Sequence, residues 1–224
     1  MTGVYVDPPI IRDDLSSRLV HLTKGTPDEA AASFCSILKD KKLRDFKGWE
    51  EDGCNRICFS EAPLSKLGQL IASAHSGFRY QYFGITLEKQ WLFERGGRPV
   101  IYQPAVEREL LHPSVRFRHV TYDPVDPAQR DVTFEREWRL PAAELPLDPF
   151  AMTLVVPTRA WAYRARDGRR GQVQTSMLIT RGFGGPPMTE DPWYFLVLED
   201  LGIPISAAPA PPDDWFPPPI IGGL

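Results

Sequence analysis

Phe134-Glu135-Arg136-Glu137-Trp138-Arg139 sets two carboxylates two residues apart within a run, 132–140, whose apolar spacing predicts a strand. Strand side chains alternate, so Val132, Phe134, Trp138 and Leu140 are expected in a core, with Thr133, Glu135, Glu137 and Arg139 on the opposite surface. Like charges side by side on a sheet face cost free energy unless cations, hydrogen bonds or a ligand compensate, and such neighbours tend to split into an acid and a base. Two readings follow. The pair is either a solvated edge-strand face with Arg136 and Arg139 as partners, or the carboxylate pair of an active site. On the second reading the side chains face a cleft, so Glu137→Gln is expected to change stability very little.

Moving outward, Leu19-Val20-His21-Leu22 reads as a short strand that runs into a helix-start signal at Thr26-Pro27-Asp28-Glu29. Thr26 can cap, Pro27 suits the first helical position and Glu29 completes a capping box. Ala30, Phe34, Ile37, Leu38 and Lys41 then follow at helical spacing, predicting one helix to about Leu43. Residues 44–56 are charged and contain Gly48 and Gly53, as expected of a mobile loop. Ser60 can cap a second helix with Pro63 in its first turn and Leu64, Leu67, Ile71 and Ala74 on one face, ending at Gly77. Tyr80 to Leu87 reads as a strand, Glu88 to Arg95 as a short helix and Arg98 to Tyr102 as another strand. Further strands are predicted over 115–122, 132–140, 151–156, 172–180 and 194–199. Helices early and strands late, with no glycine-rich phosphate loop, indicate an α+β class and not a doubly wound nucleotide-binding fold.

The 224 residues suit a single domain over 1–202 with a proline-rich tail over 203–224. Trp215, Phe216, Ile220 and Ile221 in that tail are expected to dock on the parent domain or another subunit. A formal net charge of -3 gives no global case for nucleic-acid binding. Cys54 and Cys58 with His75 lack an evident fourth ligand, so no metal site is expected. Three cysteines, with no apolar stretch resembling a signal peptide or membrane span, fit a cytoplasmic protein without a membrane partner.

In order along the chain, His21-Leu22-Thr23, Cys58-Phe59-Ser60-Glu61-Ala62-Pro63-Leu64 and Glu135-Arg136-Glu137-Trp138-Arg139 resemble the motifs of the ADP-ribosyltransferase superfamily. Within it the motifs are similar to those of the DarT-type toxins and the AbiGi-like abortive-infection proteins. The likeness spans residues 18–140. It implies a bent, split β-sandwich with N-terminal helices that holds NAD, as substrate, in its cleft. It further implies that His21 contacts the nicotinamide-side ribose and that Glu137 sits at the scissile bond, with Glu135 deprotonating or orienting the acceptor. Thr23 and Ser60 belong to the matched motifs and would line the same cofactor site. Arg98 or Arg18 would bind the diphosphate, and Tyr80 or Tyr82 would stack on nicotinamide. The implied activity is transfer of ADP-ribose to a nucleic acid or protein, as a bacterial toxin or phage-defence effector with an inhibitor or antitoxin partner.

Each residue also has a plain structural reading. His21 can be a satisfied core histidine, Thr23 can close a turn, Ser60 can be only a helix cap, and Tyr80, Tyr82 and Phe83 can be core aromatics. The competing functions are an NAD glycohydrolase on the same scaffold, with water as acceptor, and a catalytically silent interaction or antitoxin-like module. The loop over 123–130 before Glu135 is short and carries Pro124 and Pro127, whereas related transferases often read their acceptor with a longer loop there.

Overall fold

The computed structural model describes residues 14–45, 55–73, 79–164 except 127 and 130, 193–205 and 207–212. It is a mixed α+β fold built on a mostly antiparallel seven-stranded sheet. The strands are β1 (Arg18–Lys24), β2 (Lys42–Arg44), β3 (Ile57–Ser60), β4 (Tyr80–Glu88), β5 (Arg98–Pro99), β6 (Ile101–Gln103), β7 (His119–Thr121), β8 (Glu137–Leu140), β9 (Glu144–Pro146), β10 (Met152–Val156) and β11 (Tyr194–Val197). The large sheet runs β11-β10-β4-β1-β3-β8-β5. Only the β10–β11 pair in it is parallel, and β2–β9 and β6–β7 form two small sheets.

Alternation along β1 explains why both sheet faces are covered. Leu19 joins a core with Phe34, Phe83, Ile85, Leu87 and Leu154, whereas Val20 and Leu22 join a second with Leu67, Tyr82, Leu198 and Ile203. The first core is closed by helix α1 (Pro27–Asp40), which buries Ala30, Ala31, Phe34 and Leu38. Each such leucine or phenylalanine contributes roughly 1.5–3 kcal/mol on leaving water. The capping box forms as the sequence predicts: the Glu29 amide donates to Thr26 Oγ1 at 3.3 Å and the Thr26 amide to Glu29 Oε2 at 2.8 Å. The helix is shorter than expected, because Lys41 turns left-handed (φ 56°). Leu43 then lies buried in β2, opposite Leu145.

The second core is closed by helix α2 (Leu64–Ala72), where Gly68 lets the segment after β11 approach. A Cβ there would sit 2.3 Å from Ile203 Cδ1. That segment is the start of the proline-rich tail, and it runs along the domain. Tyr82 Oη donates to the Pro204 carbonyl at 3.3 Å and Trp161 Nε1 to the Pro209 carbonyl at 2.8 Å. Trp215, Phe216, Ile220 and Ile221, the strand expected over 172–180, and Cys54, His75 and Gly77 lie outside the described residues.

Three expectations are corrected. Ser60 is the last residue of β3 and does not cap α2, whose N-cap is Pro63 without a side-chain bond. The strand expected over 115–122 exists only as β7, because residues Pro113–Arg118 form a 3-10 helix behind Pro113. The strand expected over 132–140 is reduced to β8, preceded by a 3-10 turn over Thr133–Glu135 and a left-handed Arg136 (φ 45°). Trp138 and Leu140 are buried as expected, but Phe134 is 43% exposed, since the turn carries it out of the alternation. Helix α3 (Lys89–Glu94) follows β4 directly, as the sequence predicts. Among the described residues, no helix is long and apolar enough to cross a membrane.

Candidate functional site

The regular part of the sheet is the β10–β4–β1 side, where β1 and β4 pair from Arg18↔Glu88 to Leu22↔Gly84. Gly84 is required there: a Cβ at this position would lie 2.2 Å from the His21 carbonyl oxygen. On its other side β1 pairs with β3 at one position only, Val20↔Ser60. Beyond it a side chain replaces the ladder, and the His21 ring meets the Cys58 carbonyl at 2.8 Å through Nδ1. A carbonyl only accepts, so Nδ1 carries the proton. Burial lowers the His21 pKa, opposed by the Cys58 bond and assisted by Lys24, so the neutral ring has Nε2 unprotonated.

The far wall of this seam is the turn that brings in the carboxylates. Its backbone is fixed by the corner after β3. Ser60 Oγ donates to the Glu135 carbonyl through a short bond, the Glu61 amide donates to the Arg136 carbonyl at 3.1 Å, and the Ala62 amide donates to Ser60 Oγ at 3.1 Å. Glu61 is itself held by Lys89 and by Trp138 Nε1, the latter at 2.9 Å. The Phe-Ser-Glu corner is therefore a clamp on the glutamate turn, and hydrogen bonds of this kind contribute about 1 kcal/mol each.

A small open cleft lies at the seam. Of the sequence-predicted site residues, His21, Ser60, Tyr80, Glu135 and Glu137 line it, together with Val20, Leu22, Lys24, Cys58, Phe59 and Leu67. Thr23, Tyr82 and Arg98 do not. Thr23, two residues beyond His21, is instead buried and donates to the Phe83 carbonyl at 3.2 Å. Tyr82 belongs to the second core. The Arg98 guanidinium stacks 3.7 Å from the Phe93 ring centre and donates to the Phe93 and Gly97 carbonyls at 2.7 Å. Arg18 is also engaged elsewhere, donating to Thr86 Oγ1 and Thr153 Oγ1 at 3.3 Å.

The two glutamates share the cleft for a reason different from strand alternation. Glu135 comes from the 3-10 turn and Glu137 from the first position of β8, with left-handed Arg136 between them. A residue with such a backbone is uncommon unless it is glycine; here Arg136 is secured by an ion pair with Asp14 at 2.6 Å. The environments of the carboxylates differ. Glu137 is gripped by Arg139, whose Nε donates to Oε1 at 2.8 Å and whose second nitrogen reaches Oε2 at 3.4 Å. The same guanidinium donates to the Phe117 and His119 carbonyls at 3.0 and 2.7 Å, and Arg139 is only 8% exposed. The Glu137 amide donates to Tyr102 Oη at 3.1 Å. Glu135 instead accepts from Tyr80 Oη at 2.8 Å. Burial raises its pKa, assisted by Glu137, while the Tyr80 bond and Lys24 oppose the rise.

Cys58 stays a thiol in this cleft: burial, then the facing Glu137, push its pKa up to about 12. Burial and Glu135 likewise raise the Tyr80 hydroxyl, keeping it a donor. Lys24 and Arg139 were not singled out as site residues from the sequence. Arg139 was reachable by alternation from Glu137, whereas alternation from His21 leads to Thr23 and not to Lys24. Glu137 therefore stands in a buried ion pair. Against the expectation of a very small change, Glu137→Gln leaves the buried guanidinium half-paired and should cost about 1–3 kcal/mol.

Among the described residues no group of three or more His, Cys, Asp or Glu side chains is placed to hold a metal ion. Compared with known proteins, the chain matches no family model, no curated protein and no solved structure.

Proposed function

We propose that the protein transfers ADP-ribose from NAD to a macromolecular acceptor, with Glu137 at the scissile bond. One observation carries the reading: five residues from four separate segments, His21, Ser60, Tyr80, Glu135 and Glu137, gather round one cleft at an opening of the sheet. The donor set suits a nicotinamide ribose. Val20, Leu22 and Phe59, nearly buried, give the cleft an apolar floor, and two carboxylates with a neutral imidazole offer acceptors for sugar hydroxyls. The near-single pairing of β1 with β3 also suits the split sheet of the ADP-ribosyltransferase superfamily.

NAD supplies an ADP-ribosyl group whose bond to nicotinamide breaks with positive charge growing on the ribose. Glu137, fixed in orientation by the Arg139 fork, can accept a hydrogen bond from a sugar hydroxyl and strengthen its hold as that charge grows. His21, with its proton committed to Cys58, presents an acceptor nitrogen to the sugar. Glu135, with its raised pKa and its Tyr80 bond, suits removal of a proton from an attacking acceptor. Tyr80 holds Glu135 in place, and Ser60 sets the height of the turn.

A second reading rests on the same contacts. Each carboxylate already has an internal partner, Arg139 or Tyr80, as in a structural network within an interaction module. Incubating the protein with labelled NAD, alone and with cell lysate, separates the possibilities. Label on nuclease- or protease-sensitive polymer is the expected result. Fast nicotinamide release without acceptor marks a glycohydrolase, and neither release nor transfer leaves the interaction module. The lysate experiment also identifies the acceptor polymer and bears on a toxin or phage-defence role.

A further inference from the structure

A dinucleotide brings two diphosphate charges toward a cleft that already holds two carboxylates, so it needs a cation at the wall. The arginines expected from sequence to meet the diphosphate are engaged elsewhere: Arg98 against Phe93, and Arg18 against Thr86 and Thr153. Arg139 lies beneath Glu137 with its nitrogens on that carboxylate and on two backbone carbonyls. Among the residues of the cleft wall, Lys24 is the one lysine or arginine.

We infer that Lys24 is the diphosphate-binding residue of this cleft, which rests on the NAD reading above. Its position follows from the strand. Lys24 continues the Val20, Leu22 side of β1, and the β1–β4 register shifts after Leu22 so that Lys24 stands directly opposite Tyr80. The ammonium lies 4.7 Å from the Tyr80 ring centre, and the Tyr80 hydroxyl at the other end of that ring donates to Glu135. A cation–π contact at an exposed site is worth only about 0.5–1 kcal/mol, so the ammonium is held over the mouth yet can turn to a stronger anionic partner. Lys24 is exposed, whereas the carboxylates lie deeper. The cleft thus has an anion-binding rim at the end of β1 and a sugar-binding floor at the seam. The ligand class this order selects is a nicotinamide ribose carrying a diphosphate, in preference to a free nucleoside.

The test compares wild type, Lys24→Gln and Lys24→Arg in the full chain, with matched thermal stability as the folding control. Calorimetry measures binding of ADP-ribose, and turnover is followed with NAD and with nicotinamide riboside, which lacks the diphosphate. Lys24→Gln should weaken ADP-ribose binding and raise KM for NAD by about tenfold, leaving nicotinamide riboside unaffected. Lys24→Arg should restore most of the loss. Unchanged ADP-ribose binding in Lys24→Gln, or an equal loss for all three ligands, would overturn the assignment while leaving the NAD reading intact. A wild-type protein that binds neither ADP-ribose nor NAD would overturn both.

Discussion

The two sides of β1 differ in how the backbone is satisfied. Toward β4 the ladder is long, with close approach secured by Gly84, and β10 extends the same regular pairing. Toward β3 the ladder is one pair long and a side chain takes over, with His21 reaching the Cys58 carbonyl; beyond β3, which pairs with β8 over four residues, Ser60 reaches the Glu135 carbonyl and Arg139 the Phe117 and His119 carbonyls. The first arrangement gives a packed core. The second leaves an opening whose walls are polar and already oriented, which is what a site needs. In this molecule the cleft lies where backbone pairing gives out and side-chain hydrogen bonds replace it.

Breaking the seam should therefore cost more than breaking the ladder. Arg139→Leu removes the donors to two carbonyls and strands the Glu137 carboxylate at 15% side-chain exposure. It should lower stability by about 3–5 kcal/mol in denaturant unfolding. A loss under about 1 kcal/mol would mean that the side-chain network is incidental. On the ladder side, Gly84→Ala places a Cβ 2.2 Å from the His21 carbonyl oxygen, so β1 must shift. A loss of about 1–3 kcal/mol is expected. Unaltered stability would show that β1 and β4 do not approach so closely.

The pH dependence of stability sharpens the comparison with a smaller effect. Burial lowers the His21 pKa in the folded chain, so the unfolded chain binds the proton first as pH falls. The stabilisation from neutral His21 is complete above about 6.5 and is lost as pH drops through the folded value. Glu135 acts in the opposite sense: its raised pKa gives a contribution complete below about 4.3 and lost as pH rises through its folded value. Thermal melts across this range should show wild type losing stability on acidification below pH about 6.5, and His21→Phe losing less. Identical profiles would place His21 in water and not in the seam.

The same division explains what could be read from sequence. Alternation and capping located β4, β10, the capping box of α1 and the burial of Trp138 and Leu140, because local periodicity governs regular pairing. The pair of glutamates is legible as a pair, but the expected strand holds only from Glu137 to Leu140. A left-handed arginine has no sequence signal comparable to glycine, and here it is imposed by Asp14 and the Glu61 amide, both distant in the chain. Ser60 gave a cap signal that the chain spends on a tertiary bond to Glu135 instead. Thr23 shares the strand parity of His21, and only its buried bond to the Phe83 carbonyl and the register shift after Leu22 leave Lys24, and not Thr23, at the cleft. Arg98 and Arg18 carry the guanidinium groups that suit a diphosphate, yet an aromatic ring engages the one and two threonines the other.

The most direct test of the central claim measures nicotinamide release and ADP-ribose transfer from labelled NAD by wild type and Glu137→Gln, at a temperature where melting curves show both folded. Glu137→Gln should lose about 10²–10³ in rate, since it removes a carboxylate matched to charge that develops only in the transition state. Equal rates in the two folded proteins, or no reaction of wild type with NAD under any acceptor, would contradict it.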